Sequence, residues 1–312
     1  MAQEGEYCLL RADLLVVNKI DLAPHVDVDM TRFRADVAAA RPDRASVFTD
    51  LRNGEGVQLV FEQIVHSAPL TTTAVLPMES ESGALIYVQN AAGSVFGGDR
   101  LHIAVHLEAS AELCLSTPSA TRLQGEALSV QTTMIELSEG AFFEYIPDMI
   151  IPHAQAEHRQ HTCIALAHGA EAIFMESFAA GRVARGEEHL YRSFSTRLQV
   201  SFNARPVLVD ASGFRPGEAS PALEGALASS GYVGTVFALS QQGDHEELAT
   251  LISRRLASLP GVYGGAAALA SGYGVVGRFL ADDAPNLRMA TQVAWDVARR
   301  HMRGRPAPLL RK

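Results

Sequence analysis

The sequence predicts a mainly β protein. A stacked or helical β scaffold over residues 68–312 carries two α-helices in its C-terminal half and follows a small α/β fragment over residues 1–67. The first observation behind this prediction is a repeat of turn-then-strand units, whose turns end at nearly equal intervals, at Ala111, Ala141 and Ala170. The second is a change of pattern, because the residues before the scaffold alternate the spacing of buried strands, at 14–17 and 46–49, with that of helices, at 29–40 and 57–65.

The repeated units have the pattern of strands that bury one another's apolar faces. In residues 101–108, Leu101, Ile103 and Val105 alternate with polar or small residues, so they face a core while His102 and His106 face the other way. A repeat of about 30 residues that supplies strands rather than helices is typical of stacked β layers. We therefore predict a solenoid-like scaffold over residues 71–215.

Helical spacing returns late in the chain. Residues 244–259 and 284–302 place apolar residues at helical intervals and predict the two helices. Residues 261–279, which lie between them, carry one charge, at Arg278, and six glycines. So many glycines disfavour a membrane-spanning helix and favour a pair of buried strands.

Composition excludes several classes of function. The chain has 47% hydrophobic residues, enough for a large core, and its formal net charge of −9 disfavours binding to nucleic acid or to anionic membranes. Its first residues are acidic and polar, where a secretory signal needs a basic start and an apolar run. Cys8, Cys114 and Cys163 form no Cys-x-x-Cys pair, which indicates a reducing compartment. We expect a cytoplasmic protein without nucleic-acid or membrane partners.

The N-terminal fragment carries a guanine-recognition motif, Asn18, Lys19 and Asp21, directly after an apolar run that predicts a buried strand. A carboxylate at Asp21 can accept both N–H donors of a guanine edge, and the Asn18 amide can meet the opposite edge. Residues 12–24 resemble the C-terminal third of UreG, the urease accessory GTPase. An ordinary turn with the same residues is the alternative.

The fragment lacks the phosphate-binding part of a P-loop GTPase. Such a loop needs a lysine after a glycine-rich turn to reach the β and γ phosphates. The chain has only two lysines, Lys19 in the guanine motif and Lys312 at its end. We therefore expect no intrinsic GTP hydrolysis and treat Asn18, Lys19 and Asp21 as a vestigial nucleotide site.

The scaffold carries four ordered motifs of one family. Residues 87–101, which read Tyr-Val-Gln-Asn-Ala-Ala-Gly-Ser-Val-Phe-Gly-Gly-Asp-Arg-Leu, resemble the most recognisable stretch of the UreD (UreH) urease accessory proteins. Residues 116–122, 145–152 and 181–187 match later family motifs. The resemblance covers residues 68–312. It implies a non-enzymatic scaffold for nickel insertion into apo-urease, which works with UreF-type and UreG-type partners and has no tightly bound cofactor. Nickel would be in transit, and GTP would act only through the UreG-type partner.

Polar residues of these motifs are candidates for a passage or for partner contact: Asp99, Arg100, Asp148, Glu176, Arg182, Arg185 and Glu187. Carboxylates suit transient nickel handling because oxygen ligands hold such ions more weakly than thiolates. Gly97 and Gly98 permit a tight turn that aims Asp99, and a plain hairpin capped by Asp99 is the alternative. For Arg182, Arg185 and Glu187 the alternative is a surface ion network.

The metal ligands are unknown, with His158, His161 and Cys163 as candidates. His161 and Cys163 share one strand face, about 6.6 Å apart along the backbone. Half-exposed strand histidines without a metal are the alternative. Two other functions stay open: a guanine-nucleotide-binding regulator that uses residues 9–65, and a nickel-storage protein that uses the histidines at 153, 158, 161 and 168.

Overall fold

The computed structural model describes residues 14–18, 29–40, 45–49, 67–78, 83–222, 226–227 and 230–310. Two compact units divide the chain, Met1–Val65 and His66–Lys312. The protein is mainly β, as the sequence predicts, with two of its three described α-helices in the C-terminal half.

The first unit contains a strand, a helix and a second strand. β1 (Leu14–Asn18) pairs in parallel with β2 (Ala45–Thr49), and α1 (Met30–Ala40) lies between them in the chain. Asp29 caps α1, because its Oδ1 accepts hydrogen bonds from the backbone N–H groups of the first turn. These elements confirm the predicted strands and first helix. Asn18 ends β1, whereas Lys19, Asp21 and the predicted helix at 57–65 lie outside the described residues.

The second unit is a β-solenoid of about three turns. Each turn of the solenoid has three sides, and the strands on the same side of successive turns form a row. The first row consists of β5 (Gly83–Asn90), β8 (Glu112–Ser116), β11 (Phe142–Ile146) and β14 (Glu171–Ala179). The second row consists of β6 (Val95–Phe96), β9 (Thr121–Gln124) and β12 (Ile150–Pro152). The third row consists of β7 (Arg100–Leu107), β10 (Leu128–Leu137), β13 (Glu157–Leu166) and β17 (Ser193–Phe202).

Parallel pairing holds neighbouring turns in a nearly constant register. Phe142 lies beside Glu112 on one side and beside Glu171 on the other, so each turn of the solenoid corresponds to one predicted repeat. The corner between the third and first rows is also repeated. Ser110, Gly140 and Gly169 adopt φ angles of 62°, 67° and 67° at the same place in successive turns. Gly140 and Gly169 suit this left-handed conformation because they have no Cβ.

Antiparallel strands extend the solenoid. β19 (Tyr232–Leu239) pairs with β14, then β21 (Gly274–Ala281) and β20 (Val262–Ala268) continue the first row, while β18 (Arg205–Phe214) continues the third. Short strands complete the unit: β3 (Leu70–Thr72), β4 (Leu76–Pro77), β15 (Gly181–Arg182) and β16 (Glu187–Glu188). β20 and β21 confirm that residues 261–279 form strands. Within the described part of the chain, no helix has the length and apolar composition needed to cross a bilayer.

Two helices cover the outer side of the first row. They are α2 (His245–Ala257) and α3 (Ala284–Arg303), both capped by aspartates whose Oδ1 accepts a first-turn N–H. α3 places Trp295 and Arg299, each 1% exposed, against Glu144 of β11. The Trp295 indole donates to Oε1 of Glu144 at 2.6 Å, and Nε of Arg299 donates to Oε2 at 3.1 Å. Burial raises the pKa of the Glu144 carboxyl, and Arg299 and Trp295 oppose that rise.

A second arginine of α3 spans three turns of the solenoid. Nη2 of Arg303 donates to Glu112 at 2.6 Å and Nη1 to Glu171 at 3.4 Å, while its guanidinium lies 4.8 Å from the centre of the Phe142 ring. Glu112, Phe142 and Glu171 are neighbours in register. Arg303 therefore joins three successive strands of the first row by two ion pairs and a cation–π contact.

Arg299→Met is expected to lower the free energy of unfolding by about 3–5 kcal/mol, because it leaves the Glu144 carboxylate buried without its charge partner. Urea denaturation measures this change. Arg300→Met is the matched control, since Arg300 is 58% exposed in its ion pair with Asp296 and should cost less than about 1 kcal/mol. The double variant Glu144→Leu/Arg299→Met should be markedly less destabilised than Arg299→Met, and an equal or larger loss would contradict the role of the unpaired carboxylate.

Candidate functional site

The space between the first and third rows is polar in one half and apolar in the other. On β10 and β13 the side chains that face inward form matching ladders. Gln131 lies beside Gln160 and Thr133 beside Thr162, and further along the strands aliphatic pairs follow, Ile135 beside Ile164 and Leu137 beside Leu166. We call the part with the glutamines and threonines the polar half of the interior.

A cavity of about 60 Å³ lies in the polar half. Its polar lining includes Gln131, Tyr145, Asp148, His158, Gln160 and Glu176. One water needs only about 10–15 Å³ of such volume, so the cavity has room for several water molecules. Two of the sequence candidates for a passage, Asp148 and Glu176, and one candidate for metal binding, His158, therefore meet at one site.

Glu176 projects from β14 towards the third row. Its Oε1 accepts a hydrogen bond of 2.6 Å from the hydroxyl of Thr196 on β17. Burial raises the pKa of the Glu176 carboxyl to about 7, and the charge of Asp210 adds to this rise while Thr196 and Arg278 oppose it. Near neutral pH the carboxyl is therefore present in both its protonated and ionised forms, which allows it to exchange a proton for a cation at little cost.

Gln160 and Tyr145 contribute polar groups to the lining of this cavity. Gln160 is 7% exposed, and among the described residues its Oε1 has no hydrogen-bond partner. A buried carbonyl oxygen without a partner favours a water or a cation beside it. Burial raises the pKa of Tyr145 to about 12, with a contribution from Glu176, so its hydroxyl remains protonated and bonds to Gln131.

His158 separates this cavity from a larger one. Its ring, 2% exposed, places Nδ1 2.8 Å from the Ser129 hydroxyl and stacks on Phe194 with 6.2 Å between ring centres. Burial lowers the pKa of His158 to about 4, so the ring is neutral at physiological pH. The same residue lines a cavity of about 380 Å³ between β13, β17 and residues 213–221. The imidazole is thus a wall shared by the two cavities.

Asp148 lies at another boundary of the polar half. The residue is 9% exposed, and its Oδ1 accepts a hydrogen bond of 2.8 Å from the backbone N–H of Met149. Nε of the exposed Arg288, on α3, lies 3.9 Å from the same oxygen. Asp148 therefore contacts both the cavity and a side chain at the protein surface.

The other passage candidates lie away from the cavity. Asp99 caps the turn before β7, where its Oδ2 accepts from the backbone N–H of Phe96 at 2.8 Å, and Gly98 has a φ of 92°. Arg100 is exposed at the start of β7, and Arg185 is exposed in a 3₁₀ turn. Arg182 and Glu187 form a two-bond ion pair of 2.7 and 2.5 Å between β15 and β16. Asp99 therefore has the capped-turn geometry, and Arg182 and Glu187 the ion-pair geometry, of the alternative interpretations.

The three metal candidates do not meet at one point. His158 faces the interior, whereas His161 and Cys163 face the outside of β13, as the alternation of a strand requires. Within the described residues, no three side chains of His, Cys, Asp or Glu form a cluster that could hold a metal ion. His161 and Cys163 therefore lie apart from the interior cavity, as a separate feature of the outer face.

The sequence candidates do not include Gln131, Tyr145 and Gln160 of the cavity lining, or Thr196, which donates to Glu176. A usable signal exists for two of them, because Ser129-x-Gln131-x-Thr133 and His158-x-Gln160-x-Thr162 occupy the same positions in successive repeats. Tyr145 and Thr196 belong to other strands, and their approach to Gln131 and Glu176 depends on the distance between rows.

Comparisons with known proteins give the same family as the motifs. The model of the UreD urease accessory protein family matches residues 44–312. The chain is 28% identical to the urease accessory protein UreD of Haloarcula marismortui over 282 residues, which is 89% of this chain and 93% of the relative. It is 31% identical to UreD of Mycolicibacterium gilvum over 218 residues, 69% of this chain and 78% of the relative.

The family match begins at residue 44, inside the segment that the sequence pattern assigns to the N-terminal fragment. The UreG resemblance of residues 12–24 lies before that point and stays a prediction. From residue 44 onward the match includes the whole of the solenoid. This chain therefore belongs to the UreD family of urease accessory proteins.

Proposed function

We propose that this protein is a non-enzymatic, cytoplasmic scaffold for urease maturation, and that nickel travels through the polar half of its solenoid on the way to apo-urease. UreF-type and UreG-type proteins are the proposed partners, with GTP bound only by the latter. Membership of an accessory protein family supports the maturation role. The nickel route rests on one observation: Glu176 and the unpartnered Oε1 of Gln160 line the same buried cavity among the described residues.

The chemistry of the cavity suits a cargo ion rather than a stored one. Oxygen ligands bind divalent nickel less strongly than nitrogen or thiolate ligands do, so an ion held by carboxylate, amide and water oxygens exchanges more easily. Glu176 supplies the negative charge when it releases its proton, and Gln160 supplies a neutral oxygen. His158 and Asp148, at two boundaries of the polar half, mark the proposed ends of the route.

Glu176→Gln is expected to lower the nickel content of urease about 10-fold, because the amide keeps the size and the Thr196 hydrogen bond but cannot provide a negative charge. The measurement is nickel per urease active site after activation in a host strain that lacks its own UreD and expresses this chain. Glu136→Gln, an exposed carboxylate on the outside of the same solenoid, is the matched control and should match the wild type. Wild-type nickel loading by Glu176→Gln would refute the route, and failure of the wild-type chain to activate any urease would refute the maturation role.

A second test uses stability as a function of pH. Burial raises the pKa of Glu176 to about 7 from 4.5. Between pH 4.5 and about pH 7, the folded state retains a proton that the unfolded state has released. The contribution of this group to stability therefore falls as pH rises. Glu176→Gln removes the titration and should gain stability relative to the wild type between about pH 5 and about pH 8, by up to about 3 kcal/mol. Urea denaturation at both pH values measures the gain.

Protonation of His158 changes the stability of the protein in the opposite direction to that of Glu176, over nearly the same range of pH. Burial lowers its pKa to about 4 from 6.5, so the unfolded state binds the extra proton and the contribution of His158 to stability rises with pH. Both proteins contain His158, so its effect cancels when the variant is compared with the wild type. A difference between them that stays constant with pH would show that Glu176 is not perturbed by burial.

Gln160→Leu is expected to raise the stability of the protein and to lower its activity in urease maturation. It removes a buried amide oxygen without a partner, an arrangement that costs about 1–3 kcal/mol in proteins, so the free energy of unfolding should rise by about 1 kcal/mol. The same change removes an oxygen from the proposed route and should lower the nickel content of urease. Ile164→Val in the apolar half is the control, with about 1 kcal/mol lower stability and unchanged nickel content. A Gln160→Leu protein that loads urease normally would exclude Gln160 from the route.

A further inference from the structure

A second group of metal-binding atoms lies on the outside of the third row. His161 and Cys163 project outward from β13, and Gln199 projects outward from β17, where it is the register neighbour of Cys163. All three side chains are partly exposed to solvent. The backbone of β13 lies between this group and the interior cavity, so an ion could reach it directly from solution.

The sulfur–nitrogen distance within the group matches that between two ligands of one ion, whereas the nitrogen–oxygen distance is that of a hydrogen bond, which an ion would replace. Nε2 of His161 lies 3.5 Å from Sγ of Cys163 and 2.8 Å from Oε1 of Gln199, and Sγ lies 3.9 Å from Oε1. Two ligands of a tetrahedral ion, with bonds of about 2.3 Å to sulfur and about 2.0–2.1 Å to nitrogen, are separated by about 3.5 Å. The sulfur and nitrogen are therefore already at the separation that a shared metal requires.

We propose that His161, Cys163 and Gln199 bind one divalent transition-metal ion of the thiolate-preferring class, such as Zn²⁺, Co²⁺ or Ni²⁺. The ion replaces the proton of the Cys163 thiol, which is released to solvent. Nε2 of the neutral imidazole, whose hydrogen now bonds to Gln199, becomes the nitrogen ligand. Exchange with solvent moves the ring proton from Nε2 to Nδ1, so the imidazole carries one proton before and after the ion binds. One proton leaves for each ion bound, and no oxidation or reduction takes place.

Met134 is the side chain that we propose as a fourth ligand. It is the register neighbour of Cys163 on β10, on the same outer face, and it is 38% exposed. A thioether at this position favours soft ions, and water can occupy the fourth position instead. The site has only two strong ligands, so it should bind more weakly than a structural zinc site with four. This inference does not depend on the interior nickel route.

Titration of the full-length protein with Co²⁺ tests the proposal, because a cobalt–thiolate bond produces a charge-transfer absorption band. We expect the band to saturate at one Co²⁺ per chain and to be absent in Cys163→Ser. His161→Asn should weaken Co²⁺ binding about 10-fold or more. Circular dichroism melting checks that each variant is folded, and Cys8→Ser should retain the band.

His102→Asn is the matched control. His102 is an exposed histidine on the same outer face, in the row that contains His161, but it lies on β7 with Thr132 of β10 between the two histidines. Its removal should leave both the band and the affinity unchanged. Absence of a thiolate band in the wild type, or an unchanged band in folded Cys163→Ser, would overturn the proposal, as would equal weakening in His102→Asn and His161→Asn.

Discussion

The constant register between parallel turns is the constraint on which the other features depend. The backbone hydrogen bonds of each row hold one turn beside the next, so equivalent positions of successive repeats become neighbours. A shift of one residue would move every inward side chain of a strand to the outside. The ladder of Gln131 and Gln160, the outward pair of His161 and Cys163, and the row that Arg303 spans all require the same register.

The polar half of the interior lowers the free energy of unfolding of the protein. An interior glutamine oxygen without a partner among the described residues and a carboxyl kept partly ionised both oppose folding. The neighbouring aliphatic ladder and the helix-covered outer side offset this cost, since Trp295 and Arg299 are buried there in a set of satisfied contacts with Glu144. A local departure from good packing inside an otherwise consistent fold is the usual property of a functional site.

The interior nickel route and the outer metal site, both proposed above, use opposite faces of one strand. The inner face of β13 carries His158 and Gln160 towards a cavity whose polar lining includes Glu176, and the outer face carries His161 and Cys163 towards solvent. Oxygen ligands favour rapid exchange, whereas a thiolate with an imidazole favours retention. The period-two alternation of the strand separates them, so an ion bound on one face does not share ligands with an ion on the other.

The amino-acid sequence was sufficient to predict the class of fold, the repeat and the two late helices, because these depend on local spacing and on turns that recur at a fixed interval. It also indicated Glu176, Asp148 and the pair His161 and Cys163. Only the tertiary structure decided which candidates meet. Thr196 reaches Glu176 from a different row, and Asp99, Arg182 and Glu187 prove to satisfy one another or their own turns. Contacts between rows depend on how far apart the packed layers lie, and no local pattern in the chain encodes that distance.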